Sequence, residues 1–402
     1  MKNIVISKWL AALFFVLTSI SFAHSDTKPN TFLIDPDFLV AVKAKIENGD
    51  QALIEAKQTL LTSADKILLN GTYTVTAKSV MPPSGDKRDF MSVGPYWWPD
   101  SSKKDGLPYI RKDGQVNPER HAIEDARYFG KLIQEVYQLS LAHYFSGDNK
   151  YAKHATKLLT TWYLDSKTRM NPNLNFGQSI PGRTKGRGIG LIDTREVAKL
   201  IDAVQILKST QGIEIDTYKG IKVWYSDFLE WMLKSPIGLD EADEHNNHGT
   251  WYDVQVVSIA LFTDQPALAK SIVEQQTKAR IASQIKPSGE QPHELARTLS
   301  WNYSQMNLMG FLELTLLAEN IGIDLWHYTA PNGGSIQNAF QYLLPYALGK
   351  TAWTYKQLKP IHFEYFMDMA TTVSKQYSIN DFQLLNLKKP INSNILLTNF
   401  LY

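Results

Sequence analysis

Apolar residues recur three and four positions apart along much of the chain, and that spacing predicts helices. Between Arg127 and Phe145 the apolar positions are Phe129, Leu132, Ile133, Val136, Tyr137 and Leu141, and Gly147-Asp148 supplies the stop. The same pattern predicts helices over about 150–164, 194–209, 216–234, 249–262, 266–284, 300–321, 335–348 and 360–377. Strand-like alternation is scarce, and no repeat of fixed period runs through the sequence. Two aperiodic stretches interrupt the helices. Residues 81–120 are rich in Pro, Gly, Asp and aromatics, and residues 171–193 contain Gly177, Gly182, Gly186, Gly188 and Gly190. Loops this long in a compact domain are lids, binding loops or disordered segments, and their Trp and Tyr content argues against disorder. The pattern predicts an all-α domain of stacked helix pairs, with long loops walling a cleft at one end.

The N-terminus departs from this scheme. Lys2 and Lys8 precede the apolar run from Trp9 to Ile20, too short to span a bilayer, and Ser21-Phe22-Ala23 offers small residues for cleavage. Residues 1–23 are expected to be a secretory signal peptide and 24–402 a single domain, periplasmic or secreted. No later segment has the length and apolarity of a membrane helix, so no membrane partner is expected. Without Lys2 and Lys8, 40 basic residues face 40 acidic ones. A balanced chain does not attract a polyanion by bulk charge, which argues against nucleic acid and requires any anionic ligand to find a local basic cleft. The absence of cysteine excludes disulfides, thiolate metal sites and a lipoprotein anchor.

Four segments carry candidate chemistry. The run Asp243-Glu-His-Asn-Asn-His-Gly-Thr-Trp-Tyr-Asp253 gathers amides and imidazoles just ahead of a predicted helix. His245 and His248 with Asp243, Glu244 and Asp253 could be weighed as zinc ligands. The HExxH spacing is missing, however, and no metal is expected. Gly94-Pro-Tyr-Trp-Trp-Pro-Asp100 is either a stiff aromatic platform for sugars or a plug at the end of the core. The glycine-rich run Gly182–Gly190 lacks the Gly-Lys-Ser/Thr ending of a phosphate loop. It reads as a surface loop or as a carrier of Arg183, Lys185 and Arg187 toward carboxylates. In His293-Glu-Leu-Ala-Arg-Thr-Leu-Ser-Trp-Asn-Tyr303, Ser300 reads as a helix N-cap, with Tyr303 in the first turn. Six residues on one helix would separate Arg297 and Tyr303 by about 600°, so they converge only if the helix breaks at Ser300; otherwise Tyr303 is a core aromatic. Glu290 with Glu294 or Asp253 could serve glycoside hydrolysis.

Taken together, "SVGPYWWPD", "GLPYIRKDGQVNPER", "NNHGTWYD" and "QPHELARTLSWNYS" resemble the alginate lyase superfamily of α/α-barrel polysaccharide lyases over roughly residues 80–320. The resemblance implies an incomplete (α/α) barrel or toroid that acts without a cofactor on an anionic polysaccharide, and a monomer is expected. The family's active-site Asn-His pair, Arg and Tyr fall on Asn247, His248, Arg297 and Tyr303. Such a lyase removes the C5 proton of a uronate while stabilising charge on the sugar carboxylate. Asn247 and Arg297 suit the carboxylate, His248 neutralises it or acts as a second base, and Tyr303 serves as base and then acid. Tyr303 would need a nearby Arg⁺ to favour its phenolate. Tyr96, Trp97, Trp98 and Arg187 are expected to contact further sugars. The implied reaction is β-elimination of 1,4-linked uronates, alginate or polymannuronate first and glucuronan next. The alternatives are an α/α-barrel glycoside hydrolase using Glu290 or Glu294, and a non-catalytic glycan-binding protein.

Overall fold

The computed structural model describes residues 28–374, 376 and 377, so the expected signal peptide, 1–23, lies outside the described residues. The framework is all-α. It opens with α1 (Pro36–Glu47) and α2 (Gln51–Ile67), crosses the first long loop, and continues in α3 (Asp125–Ser146) and α4 (Asn149–Tyr163). The second loop leads to α5 (Val197–Ser209), α6 (Ile215–Lys234), α7 (Pro236–Ala242) and α8 (Asn247–Phe262). Next come α9 (Pro266–Ile272) and α10 (Lys278–Gln284), joined by a π turn, then the single turn α11 (Pro292–Leu295). Three helices follow: α12 (Ser300–Glu319), α13 (Ile336–Ala347) and α14 (Glu364–Val373). The predicted helices coincide with α3–α6, α8–α10 and α12–α14. Helix α1 buries little beyond Leu39 and Val42, too thin a stripe to read as periodic, and its start is fixed instead by the Asp35 side-chain cap.

Helices α3, α5, α8 and α12 form an inner row, each packed on the next. α2 and α4 lie against α3, α6 against α5 and α8, α9 against α8, and α13 and α14 against α12. This is the toroid of helix pairs that the resemblance implied. α8 and α12 are buried along almost their whole length and are apolar on nearly every face, as an inner position demands. Trp162, Trp251 and Trp301 are fully buried between the layers. The chain ahead of α1 is pinned by Asp202 of α5, whose carboxylate accepts the backbone N–H groups of Phe32, Leu33 and Ile34 at 2.7–2.9 Å.

The two long loops are ordered by each other. They contain β1 (Met91–Val93), β2 (Trp97–Trp98), β3 (Ile110–Arg111) and β4 (Phe176–Ser179). β1 pairs in parallel with β4, and β2 antiparallel with β3. Strands of two to four residues are too short to show as alternation in the sequence. This wall sits on the leading ends of the inner helices. Met91 N–H donates to Asp125 at the start of α3 (2.9 Å), and the Ser92 hydroxyl donates to Asp193 just ahead of α5 (2.5 Å).

Candidate active site

The run of amides and imidazoles is the start of an inner helix. Asn246 caps α8, its side-chain oxygen accepting the His248 N–H at 2.9 Å. Asn247 is the first helical residue, and its backbone N–H and Nδ2 donate to the two oxygens of Glu294 at 2.7 and 2.8 Å. Asn247 is completely buried, and its Oδ1 has no hydrogen-bond partner among the described residues. The expected carboxylate binder is thus already committed to a protein carboxylate, because α11 delivers Glu294 to the first turn of α8.

One residue on, the His248 side chain keeps 14% of its surface and joins Nδ1 to Glu241 Oε1 at 2.9 Å, while Glu241 is 1% exposed. Burial disfavours the imidazolium, but Glu241, then Glu244 and Glu294, outweigh it and hold the pKa of His248 above the ordinary value. His245 points elsewhere, meeting the His293 ring edge-on at 4.7 Å.

Between α11 and α12 the chain breaks at residues 296–299, and this brings Arg297 back over its neighbour: the guanidinium lies 3.8 Å from the centre of the Tyr303 ring. The expected convergence therefore occurs, with one correction. Ser300 is the first residue of α12 and not its cap, because its hydroxyl is taken by the carbonyl of Lys356 and by the Trp353 indole N–H. Arg297 is not free to grip a ligand with its whole fork. Its Nε and Nη2 donate to Asp113 at 3.2 and 2.8 Å, and Asp113 also accepts from Thr298 Oγ1 at 2.9 Å. Gly114 makes this approach possible: it has φ +74°, and a Cβ there would lie 2.5 Å from Thr298 Oγ1.

Tyr303 is 9% exposed, and its hydroxyl donates to the Tyr96 hydroxyl at 2.7 Å. Arg297 does favour the phenolate, as expected, but it does not prevail. Burial, followed by the Tyr96 hydroxyl, pushes Tyr303 well above the ordinary phenol range, and the opposing pull of Arg297 is the weaker effect. The resting residue is a phenol. Arg297 and His248 act on the same carboxylate, since both lower the proton affinity of Glu294 against the rise that burial causes. Glu294 thereby links the helix start that carries His248 to the break that carries Arg297.

Trp97 and Trp98 are neighbours on β2 and point to opposite sides of it. Trp97 lies beneath the guanidinium groups of Arg183 and Arg187 at 5.1 and 5.9 Å, whereas Trp98 bonds the Gln115 carbonyl and carries Lys112 over its ring. Arg187 donates to the carbonyl and side-chain oxygens of Gln178 at 3.1 Å. The glycine-rich run thus presents Arg187 to an amide and not to a carboxylate, and its glycines serve close packing: a Cβ on Gly188 would lie 2.5 Å from the Glu241 nitrogen. Glu290 is held by Lys286 at 3.1 Å on the surface, and Glu294 by Asn247, so the pair proposed for a hydrolase is not free for that chemistry.

Residues 74–353 match the family described as alginate lyase. The chain belongs to the alginate lyase family. A crystal structure described as an alginate lyase from Bacteroides ovatus is 38% identical, matched over 93% of this chain and 99% of its own, with a TM-score of 0.87. Alginate lyase A1-III from Sphingomonas species A1 is 16% identical over 92% of this chain and 97% of its own, at a TM-score of 0.57. A histidine-to-alanine variant of A1-III complexed with a tetrasaccharide matches over 93% and 97% of the two chains, with 16% identity and a TM-score of 0.58. These last two share the fold. No curated protein sequence matches the chain. Membership places the protein among the polysaccharide lyases.

For this alginate lyase family member, reasoning from the sequence missed the acidic partners: Asp113 for Arg297, Glu241 for His248 and Glu294 for Asn247. Asp113 stands inside the quoted motif "GLPYIRKDGQVNPER", and its Asp-Gly pair was a usable turn signal. Glu241 lies seven residues before His248, on a separate helix that periodicity did not reveal.

Proposed function

We propose that this protein cleaves 1,4-linked uronate polymers by β-elimination, with mannuronate-rich alginate first and glucuronan second among its substrates. The reading is carried by one observation: a guanidinium stacked on the ring of a tyrosine whose hydroxyl is already in a hydrogen bond. In the reaction, the Tyr303 oxygen takes the C5 proton and charge accumulates on the sugar carboxylate. The Arg297 Nη1 edge left by Asp113 and the outer nitrogen of His248 stabilise that charge. The C4–O4 bond then breaks, its electrons leave with O4, and the C5 pair forms the C4=C5 double bond. Tyr303 returns a proton to O4, acting as base and then acid. Tyr303 enters this cycle as the phenolate, its own proton having passed to solvent, and it recovers that state when it protonates O4; the Tyr96 hydroxyl is placed to receive a hydrogen bond from the phenol or to donate one to the phenolate. Asn247, completely buried, keeps Glu294 in register and acts on the site through it. One oxygen can serve both C5–H and O4 only where these share a face of the ring, as in mannuronate and glucuronate.

Tyr96, Trp97 and Arg187 suit the walls of neighbouring sugar subsites, with Trp98 set on the other side of its strand. We take residues 24–402 as one catalytic domain of a monomeric, exported enzyme. The test is incubation with polymannuronate, polyguluronate and glucuronan, following near-ultraviolet absorbance of the unsaturated uronate. Folded protein that produces no absorbance on any of the three would overturn the proposal. A hydrolase would release reducing ends without absorbance, and a glycan-binding protein would leave the polymers uncut.

A further inference from the structure

We infer that Gln357 is a positioning residue for Tyr303: its side chain caps α12 from 56 positions beyond Trp301 and so sets where the proton-transferring hydroxyl stands. The inference rests on the lyase reading above and adds to it a residue outside the 74–353 match to the family.

Helix α12 does not cap itself. The leading N–H groups of any helix have no partner within it, and at the start of α8 the Asn246 side chain accepts one of them. At the start of α12 the corresponding place is held by Leu299, which has no side-chain acceptor, and the Ser300 hydroxyl is spent on the Lys356 carbonyl at 2.7 Å. The amides are met from downstream instead. Ser300 N–H donates to the Lys356 carbonyl at 3.2 Å, and Trp301 N–H donates to Gln357 Oε1 at 3.2 Å. Gln357 Nε2 donates in turn to Asn302 Oδ1 at 2.6 Å and to the Lys359 carbonyl at 3.1 Å. One side chain therefore holds the two residues that immediately precede Tyr303.

The backbone fixes this contact. Leu299 pairs antiparallel with Gln357, and Leu358 N–H donates to the Thr298 carbonyl at 3.0 Å, so residues 356–358 run alongside the break that carries Arg297. The Trp353 indole N–H reaches Ser300 Oγ at 2.9 Å, and the indole N–H of the fully buried Trp301 donates to the His362 carbonyl at 3.3 Å. A Cβ on Gly114 would lie within 3.4 Å of Thr298, Leu299 and Leu358, so the loop that presents Asp113 is seated on the same ladder.

Tyr303 is the fourth residue of α12, and its N–H makes the helix's first internal bond, to the Leu299 carbonyl at 3.0 Å. If that turn unwinds, the ring leaves the Arg297 guanidinium, 3.8 Å away, and the hydroxyl leaves Tyr96, 2.7 Å away. A displacement of about 1 Å at a reacting group costs on the order of 100-fold in rate. Gln357 acts through Tyr303 and need not touch substrate.

The experiment compares wild type, Gln357→Ala and Gln357→Glu by backbone amide exchange and by kinetics on polymannuronate. In the wild type, the Trp301 amide should be protected; exchange at the unprotected rate overturns the inference even if no variant folds. In Gln357→Ala, the amides of residues 301–303 should exchange about tenfold faster while the rest of α12 is unchanged. Its kcat should fall about 10- to 100-fold, with KM changed less than about twofold. Gln357→Glu keeps an oxygen for the Trp301 N–H, and a carboxylate suits a helix start, so slow exchange and most of kcat should return. Unchanged exchange in folded Gln357→Ala overturns the inference, as do faster exchange with wild-type kcat, a loss confined to KM, and a Gln357→Glu variant as slow as Gln357→Ala. Exchange needs no turnover, so failure of the lyase reading would show separately, as wild type that gives no absorbance while the exchange pattern holds.

Discussion

Replacing Asp113 with Asn tests whether the first loop sets the catalytic geometry or only seals the fold. The wild-type carboxylate accepts from Arg297 Nε and Nη2 and from Thr298 N and Oγ1, at 2.8–3.3 Å. An Asn side chain keeps one acceptor oxygen and turns an N–H₂ toward the guanidinium, so the charge pair and one side of the fork are lost. Breaking a fully buried pair costs about 3–5 kcal/mol. Here the side chains retain 19% and 22% of their surface, so water partly rehydrates Arg297, and about 2–3 kcal/mol is expected. That should lower the melting temperature by several degrees.

Arg297 would also lose the fork that holds it over Tyr303 at 3.8 Å. A displacement of about 1 Å costs on the order of 100-fold in rate, and kcat on polymannuronate should fall by that order, measured as absorbance of the unsaturated product. The pH dependence has a definite sign. Burial raises the carboxyl's pKa, but the bonds from Arg297 and Thr298 outweigh it and hold Asp113 well below the usual carboxylate range. The stabilisation is therefore complete above about pH 4 and is lost only as pH falls through the depressed folded value. The melting difference between wild type and variant should be constant from about pH 5 to 8. Wild-type kcat in a variant with a lowered melting temperature would refute the positioning argument, and a difference that grows through neutral pH would refute the electrostatic one.

Four further substitutions probe other parts of the site. Tyr303→Phe removes the atom proposed to move the proton and one hydrogen bond to Tyr96; kcat should fall at least 100-fold while thermal unfolding changes by about 1 kcal/mol. Persistent turnover in this variant would remove Tyr303 from the mechanism. Trp97→Ala should raise KM for oligouronates by roughly tenfold, about 1.4 kcal/mol, with Trp98→Ala changing it far less because that ring faces Lys112 and Gln115; equal effects would show that both faces of β2 meet the ligand. Gly188→Ala would force a Cβ to within 2.5 Å of the Glu241 nitrogen; about 1–3 kcal/mol of destabilisation is expected, with the loss of activity exceeding the fraction unfolded, and calorimetry beside kinetics separates the two.

The helical framework was legible because its signal is local. Each inner helix needs apolar residues on most faces, and α8 and α12 display them over 16 and 20 residues. The strands of the loop wall were not legible, since two to four residues hold no period. β1 and β4 also pair across 85 residues, Met91 with Phe176, whereas β2 and β3 pair across only 14, Trp97 with Arg111. At the site, the groups with distinctive chemistry, His248, Arg297 and Tyr303, could be picked out with the help of motif order. Their partners could not, because Asp113 is 184 positions from Arg297 and Glu294 is 47 from Asn247. One carboxylate among 40 acidic residues carries no mark until the fold selects it.

That selection explains an apparent contradiction in a site for a polyanion. The candidate cations are already paired with protein carboxylates, which weakens their attraction for a ground-state substrate. An unpaired guanidinium at this depth would be costly to bury and would wander among rotamers. Pairing to Asp113 fixes the plane of Arg297, and pairing to Glu241 fixes the ring of His248, so the proposed elimination would require little reorganisation as charge moves onto the sugar carboxylate. Donors ordered in advance contribute most where that charge is greatest, which is the transition state and not the bound polymer. The inner helices add to this, because the first turns of α8 and α12 carry His248 and Tyr303 and present the positive ends of their dipoles to the same end of the toroid. Acidic partners that reduce affinity are thus compatible with a fast elimination, provided that the sugar carboxylate meets the free edge of each donor.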